Sequence, residues 1–508
     1  MKKALLAAAV LCVSGAGPAL ADPALLDAAK AGDSETALDL LRDRSVRATV
    51  DEPGPDGTTA LLWAAHNGDY ELTRRLLRAG ADPDAANDYG ATPLLEAATT
   101  GDADVIEALL DAGAEADKAN PEGMTPLMAV ARTGNVEAAK MLVEAGADVN
   151  AREQWADQTA LIWAAAQGQP EMITYLIGAG ADPDARSVVR EWERRVTAEP
   201  RGKDLNDGGL TALLYAARQG CADCARALVE GGADINLADP NNVSPLTMAA
   251  LNMNYDTAAY LVSAGADPDK WDLWGRNPLY AVADTNTLPM GGRTDIPSDS
   301  HTSGPELVKQ LLEAGANPNL QLKLFPPYRA VGADRGGDGA LTIGATPLHR
   351  AARGGDLEIA SLLLEYGANT ELPNMTGITP LQLAAGLGHG GADTRGRFYS
   401  EKQAIETVRL LAENGADVNA QDDTGRTALH GAARKGWPDL IRTLAELGAD
   451  PALADDQGYT ALDYAMGTMG LQVGRGGADV QPEAAAALEE IMGGDAAANG
   501  AAAETEPS

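Results

Sequence analysis

Two cysteines with Cys-x-x-Cys spacing are the residues of this 508-residue chain best suited to chemistry. Cys221 and Cys224 stand in the stretch GCADCARAL, at the expected start of a helix. A helix N-terminus favours a thiolate, so the pair could take part in redox exchange. Residue 225 is alanine, whereas haem attachment would require histidine there. In an exported protein we expect a local disulfide between them, and redox catalysis is the alternative.

The other patterns in the sequence do not form an active site. The stretch GLGHGG at 386–391 follows an expected helix, whereas a dinucleotide-binding loop follows a strand. No two histidines have metal-ligand spacing, and the stretch beginning DPD at 82–84 lacks the later residues of a calcium loop. We therefore predict no enzyme activity, no cofactor and no metal. The histidines are His66, His301, His349, His389 and His430.

Three stretches that combine glycine with arginine could bind an anion. They read PMGGRTD at 289–295, GHGGADTRGRFYS at 388–400 and VGRGGAD at 473–479. A guanidinium group is well suited to a carboxylate or phosphate ligand. The candidate anion-binding residues are Arg293, Arg395, Arg397 and Arg475.

Both phenylalanines of the chain lie outside its repetitive part. Phe325 stands in LKLFPPYRAVG at 322–332, beside a Pro-Pro pair, and Phe398 lies in the second glycine- and arginine-containing stretch. Soluble chains usually bury phenylalanine, so these residues are either anchors for a partner or lids folded onto the protein's own surface. Both interpretations stay open. The candidate partner-binding residues are Trp192, Trp271, Trp274, Arg276, Phe325, Tyr328, Arg329 and Phe398.

The charge of the chain restricts its partners. There are 39 Lys and Arg residues against 74 Asp and Glu, for a formal net charge of −35. Such a surface repels phosphate backbones, which argues against nucleic acid as a partner. The same field favours a protein partner with a basic patch.

The first residues predict export. Lys2 and Lys3 precede an apolar run, and ALA at 19–21 is a small-residue cleavage site. This pattern resembles a bacterial signal peptide over residues 1–21, which implies the periplasm or the medium. No later segment approaches the roughly 20 apolar residues of a membrane span, so we predict no membrane insertion after cleavage.

A repeated unit must position all of these residues. In the copy at 88–120, Thr92 can cap a helix that begins at Pro93 and ends at Gly101, and a second short helix follows. Neither helix can bury its apolar side alone, so neighbouring copies must stack. The unit recurs mostly every 33 residues, as from Thr59 to Thr92. The copies begin at Thr59, Thr92, Thr125, Thr159, Thr211, Ser244, Asn277, Thr346, Thr379, Thr427 and Thr460.

This unit resembles the ankyrin repeat, most closely in TPLHRAARGGD at 346–356 and TALHGAARKGW at 427–437, where His349 and His430 stand at the family's hydrogen-bonding position. The resemblance implies an all-α fold, a solenoid of about eleven helix-turn-helix repeats with β-turn fingers. We expect the repeats over 56–493, a capping helix pair over 22–55 and a disordered tail over 494–508. Insertions are expected near 187–207, 285–303, 320–342, 387–401 and 468–480.

The resemblance also implies a function. Ankyrin repeats use a concave groove of fingers and inner helices to recognise proteins, so we predict an exported protein-binding scaffold or adaptor that also uses its enlarged loops. The alternative is an anion- or ligand-binding accessory subunit of a periplasmic enzyme, which would use the loops that combine glycine with arginine.

Overall fold

The computed structural model describes residues 24–190, 207–286, 300–324, 342–388, 400–468 and 480–503. Each of the five predicted insertions lies largely outside these residues. The chain divides into two compact units, Met1–Ala181 and Asp182–Ser508, and each is a stack of ankyrin-type helix pairs.

In the described residues of the first unit, the regular secondary structure is helical. A helix pair and a single short turn precede four repeats, each made of a first and a second helix. The helices are α1 Ala24–Ala31, α2 Ser34–Leu40, α3 Arg44–Arg47, α4 Ala60–His66, α5 Tyr70–Ala79, α6 Pro93–Thr100, α7 Ala103–Asp111, α8 Pro126–Thr133, α9 Val136–Glu144, α10 Ala160–Ala166 and α11 Pro170–Gly178.

The second unit opens with an extended turn and continues as seven repeats. Strands β1 Val189–Arg190 and β2 Asp207–Gly208 pair antiparallel, with Val189 opposite Gly208. The helices are α12 Ala212–Gln219, α13 Ala222–Glu230, α14 Pro245–Leu251, α15 Tyr255–Ser263, α16 Pro278–Asn286, α17 Gly304–Glu313, α18 Pro347–Gly354, α19 Leu357–Glu365, α20 Pro380–Ala384, α21 Glu401–Glu413, α22 Ala428–Lys435, α23 Pro438–Glu446, α24 Ala461–Met466 and α25 Pro482–Ala503.

Local sequence explains where the helices begin and end. The side-chain oxygen of Thr92 accepts a hydrogen bond from the backbone N–H of Leu95, and Pro93 occupies the first turn, where no N–H is needed. The helix ends at Gly101, whose backbone φ is 73°. Residues other than glycine rarely adopt this conformation. Asp102 then caps the second helix by accepting from the N–H of Val105.

Alanine and leucine form the core, because the helices of successive repeats must approach closely. First helices pack on first helices, as α8 does against α6 and α10, and second helices pack on second helices. Leu127 and Ala131 of α8 are completely buried. Small alanine side chains permit this stacking, and the leucines fill the space between helices.

The last helix reaches into the segment predicted as a tail. The sequence predicts a disordered tail over 494–508, and the helical backbone of α25 runs to Ala503. Alanine has the highest helix propensity, and alanines dominate this segment.

Buried polar side chains tie the first helices α18 and α20 to the turns that follow their repeats. In His349, Nδ1 accepts a hydrogen bond from the N–H of Thr346 at 3.1 Å, and Nε2 donates to the carbonyl of Ile378 at 3.0 Å. Gln382 makes the equivalent bonds one repeat later, accepting from the N–H of Thr379 and donating to the carbonyl of Arg426. Burial lowers the pKa of His349 from 6.5 to about 4, although its bond to Ile378 opposes the shift.

Acid should therefore destabilise the second unit through His349. Its pKa is lower in the folded than in the unfolded chain, so its stabilising contribution is present above pH 6.5 and declines as the pH falls towards about 4. We expect a loss of about 3 kcal/mol across that window. His349→Gln should keep both hydrogen bonds, as Gln382 does, and remove this part of the pH dependence. Denaturant unfolding of both proteins between pH 4 and 7 tests this, and identical pH profiles would contradict it.

Candidate functional site: the finger ridge

The fingers are the turns that precede the first helices, and each is closed by its own backbone. In the finger before α16, the N–H of Asp272 donates to the carbonyl of Arg276 at 3.0 Å, and the N–H of Gly275 donates back to the carbonyl of Asp272 at 2.9 Å. Asn374 and Ile378 close the finger before α20 in the same way. The second residue of each finger thus stands at its tip.

Backbone hydrogen bonds also join neighbouring tips of the second unit into one row. The N–H of Leu273 donates to the carbonyl of Asn241 at 2.9 Å, and the N–H of Lys323 donates to the carbonyl of Trp274 at 2.8 Å. Gly275 has a φ of 85°, and a Cβ added there would lie 2.7 Å from the backbone nitrogen of Lys323. Only glycine permits fingers to approach so closely, so the tips keep a defined spacing.

Apolar side chains project from three consecutive fingers of this row, from the tips in two of them and from Leu324, next to the tip residue Lys323, in the middle one. Leu273 is 48% exposed, Leu324 is 46% exposed and Met375 is 52% exposed, and Trp271 beside them is 42% exposed. We call these four residues the finger ridge. In the described part of the chain, large exposed apolar residues concentrate in fingers. These finger residues are Tyr89, Trp155, Val188, Val189, Trp271, Leu273, Leu324 and Met375.

Charge changes along the row. Lys323 belongs to the ridge's middle finger, and its Nζ lies 3.2 Å from the centroid of the Trp271 ring, a cation–π contact. The next two tips carry the exposed residues Asp423 and Asp456. The ridge is therefore an apolar surface bordered by carboxylates on its C-terminal side.

A buried ion pair holds the first finger of the ridge in place. One carboxylate oxygen of Asp272 accepts from the backbone N–H groups of Trp274 and Arg276, and the other accepts from Arg276 Nε at 2.7 Å. Arg276 also lies 4.9 Å from the centroid of the Trp274 ring. Burial raises the pKa of Asp272, while Arg276 opposes that shift. Removing either partner would leave the other charge buried, so the pair fixes the finger's shape.

The equivalent pair in the finger before α22 is more hydrated. The side chain of Arg426 is 24% exposed, against 8% for Arg276, and two of its nitrogens donate to Asp422. Burial alone would raise the pKa of Asp422, but hydrogen bonds, first among them those from Arg426, outweigh burial and lower it. The same local sequence therefore gives a more buried pair beneath the ridge.

The structure separates the predicted partner-binding residues into three groups. Trp271 is exposed on the ridge, in keeping with a contact role. Trp274 and Arg276 are each only 7% exposed, so their prediction as contact residues is corrected: they support the finger from within. The remaining predicted contact and anion-binding residues lie outside the described residues. They are Trp192, Phe325, Tyr328, Arg329, Phe398, Arg293, Arg395, Arg397 and Arg475.

Sequence reasoning missed Leu273, Leu324 and Met375. Leu273 and Met375 carry a signal that was available, because they stand four residues before Asn277 and Thr379. Most other fingers have aspartate or proline at that position, although Trp155 stands four residues before Thr159. Examples are Asp88, Pro121, Pro240, Asp423 and Asp456. Leu324 carries no such signal, since it begins an insertion that breaks the repeat.

Arginines near the ends of the first helices differ in exposure. Arg132, Arg218 and Arg434 are exposed, whereas Arg353 at the equivalent position is only 6% exposed. Arg350 is also buried, and its Nε lies 2.5 Å from a carboxylate oxygen of Asp284.

Other kinds of site are not found in the described ranges. No group of three or more His, Cys, Asp or Glu side chains there could hold a metal ion. None of the helices described is both long and apolar enough to span a bilayer. Cys221 and Cys224 are joined by a disulfide, with their sulfur atoms 2.08 Å apart.

Comparison with known proteins identifies the family. The model for "Ankyrin repeats (3 copies)" matches residues 25–120, 101–187, 196–287, 300–392 and 398–472. The chain therefore belongs to the ankyrin repeat family, whose repeats generally mediate protein–protein interaction.

The similarity to individual relatives covers very different shares of their length. The chain is 27% identical to the E3 ubiquitin-protein ligase KEG of Arabidopsis thaliana over 46% of this chain and 12% of the ligase. It is 29% identical to the ankyrin repeat protein YahD of Escherichia coli strain K12 over 45% of this chain and 90% of YahD. The match thus spans far less than two thirds of the ligase. The human ASB11 ankyrin repeat domain aligns with a TM-score of 0.39 and 22% identity, covering 48% of this chain and 98% of that domain.

Proposed function

We propose that this chain is an exported scaffold that binds a protein partner, and that the finger ridge is its main contact surface. The observation that carries the proposal is the row of half-exposed apolar side chains on three consecutive fingers, Leu273, Leu324 and Met375, on a chain of net charge −35. Exposed apolar side chains grouped on one surface mark interaction sites, whereas singly scattered ones do not.

The ridge sets the chemistry of the partner. Three consecutive fingers span roughly 20 Å, since neighbouring helix layers lie about 8–10 Å apart. A complementary surface would present apolar side chains over that length, with basic groups beside them to meet Asp423 and Asp456. The basic groups would also be drawn by the acidic field of the whole chain, which raises the rate of encounter.

Export is the second part of the proposal, and it depends on the leader at residues 1–21. The basic start, short apolar run and small-residue cleavage site support it. The acidic chain would then meet its partner in the periplasm or the medium.

Affinity capture from periplasmic extract tests both parts. Chain purified from the periplasm should begin at Asp22. Used as bait, it should retain a protein that a Leu273→Asp, Met375→Asp bait does not. Equal retention by both baits would reject the ridge as the contact surface. An uncleaved leader in the cytoplasmic fraction would reject export and leave the ridge proposal to stand on the capture result.

A further inference from the structure

The disulfide of the second unit stands at the start of α13, where it could be reduced and reformed. We propose that Cys221 and Cys224 form a thiol–disulfide exchange site that oxidises a dithiol of a protein or small molecule. This activity is independent of the finger ridge, and two features of the structure support it.

The first feature is the position of Cys221 as the N-cap of α13. Its Sγ accepts a hydrogen bond from the backbone N–H of Cys224 at 3.1 Å. At the start of other second helices, a side-chain oxygen of the N-cap residue occupies the equivalent position. It accepts a hydrogen bond from the backbone N–H three residues later. These caps are Asp69, Asp102, Asn135 and Asp356.

A negative charge at the N-cap position is favourable, and three of these four caps are aspartates. A disulfide sulfur is a neutral, weak acceptor, whereas reduction would convert Cys221 into a thiolate that faces the N–H groups and positive dipole end of the helix. The helix therefore stabilises the reduced form of the pair. A disulfide whose reduced form is stabilised is a better oxidant than one that only braces a fold.

The second feature is the unequal exposure of the two sulfur-bearing residues. Cys221 is partly exposed, and Cys224 is completely buried. An incoming thiolate can therefore approach Cys221 more readily than Cys224. This asymmetry separates the attacked cysteine from the leaving one.

Two charged side chains lie close to the pair in sequence. Asp223 lies within the motif and would disfavour a thiolate, but it is exposed and therefore screened by solvent. The guanidinium of Arg218 lies 4.7 Å from the centroid of the Tyr215 ring. The backbone N–H of Cys224 thus remains the contact that the structure places directly on the sulfur of Cys221.

The exchange balances in two steps. A thiolate of the dithiol attacks Sγ of Cys221, a mixed disulfide forms, and Cys224 leaves as a thiolate. The second thiolate of the dithiol then attacks the other sulfur of the same dithiol, which is bonded to Cys221 in the mixed disulfide. This step releases Cys221. The pair gains two electrons and two protons, and the dithiol becomes a disulfide.

Alkylation of single-cysteine variants tests the role of the helix. In the full mature chain, Cys224→Ala leaves Cys221 alone, and its reaction with iodoacetamide should titrate at least one pKa unit below the ordinary value of about 8.5. Below that lowered pKa, the thiolate fraction is about tenfold or more above that of an ordinary cysteine. The matched variant Cys221→Ala leaves the buried Cys224, which should react only after unfolding. A Cys221 that titrates at or above about 8.5 would overturn the proposal.

Exchange itself is measured on the unaltered chain. The oxidised protein is incubated with dithiothreitol or reduced glutathione, quenched with acid and analysed by mass spectrometry, while circular dichroism reports folding. We expect reduction of the folded protein, with glutathione attached to Cys221 as the intermediate. Reduction that requires urea would show a purely structural disulfide, and attachment to Cys224 would contradict the assigned direction of attack.

Discussion

The double variant Leu273→Asp, Met375→Asp should lose at least about 100-fold in affinity for the captured partner, or about 3 kcal/mol. Both side chains project from finger tips and are about half exposed, so each aspartate can remain hydrated in the free protein. On binding, the two new carboxylates would have to be desolvated against an apolar surface, and that cost produces the loss.

Stability should be almost unaffected by the same changes. Surface substitutions usually alter the free energy of unfolding by less than about 0.5 kcal/mol, and the buried pair of Asp272 and Arg276 keeps its contacts. A matched control replaces two exposed apolar residues away from the fingers, as in Met466→Asp with Val480→Asp. Titration calorimetry and thermal melting separate the effects. If the control weakens binding as much as the ridge variant, the added negative charge is responsible and the ridge is not the contact surface.

Leu127→Asp should cost several kcal/mol and open the repeats around α8. Leu127 is completely buried in a first helix that packs against α6 on one side and α10 on the other. A carboxylate there must either remain charged in an apolar core or take up a proton, and both states are unfavourable. Leu127→Met is the control, because a swap that conserves volume usually costs less than about 1.5 kcal/mol.

The damage should stay local to the first unit. Each repeat contacts only its neighbours, so the loss of one interface does not remove the others. Limited proteolysis followed by mass spectrometry should place the new cuts between about residues 88 and 170. Equal loss of protection from Asp22 to Met492 would instead show that the whole chain unfolds as one cooperative unit.

Much of the fold followed from local sequence because each repeat satisfies its own requirements. Thr92, Pro93 and Gly101 specify where a helix starts and stops through interactions within a few residues. The period of 33 residues follows from the same local signals, and stacking then follows because the helices are too short to be stable alone. The ankyrin fold could therefore be predicted, together with its helix pairs and its fingers.

The site was less predictable, and the finger before α16 shows why. Trp271, Trp274 and Arg276 are close in sequence and looked alike as contact residues, yet the structure exposes the first and buries the other two. Their difference depends on Asp272, which draws Arg276 inward, and on the next finger, whose Lys323 N–H binds the carbonyl of Trp274. The sequence spacing of that next finger is interrupted by an insertion, so its approach could not be inferred from the repeat.

The sequence alone determined the repeat, the caps, the acidic charge and the position of the Cys-x-x-Cys pair at a helix start. Tertiary structure decided which residues at equivalent positions are exposed. Leu273 and Met375 lie on the fingers to either side of the one that carries Leu324, Arg353 is buried where Arg132 stays exposed, and Cys221 is partly exposed beside a buried Cys224. Helix formation depends on contacts within a repeat, whereas exposure depends on what the adjacent repeats place over each side chain.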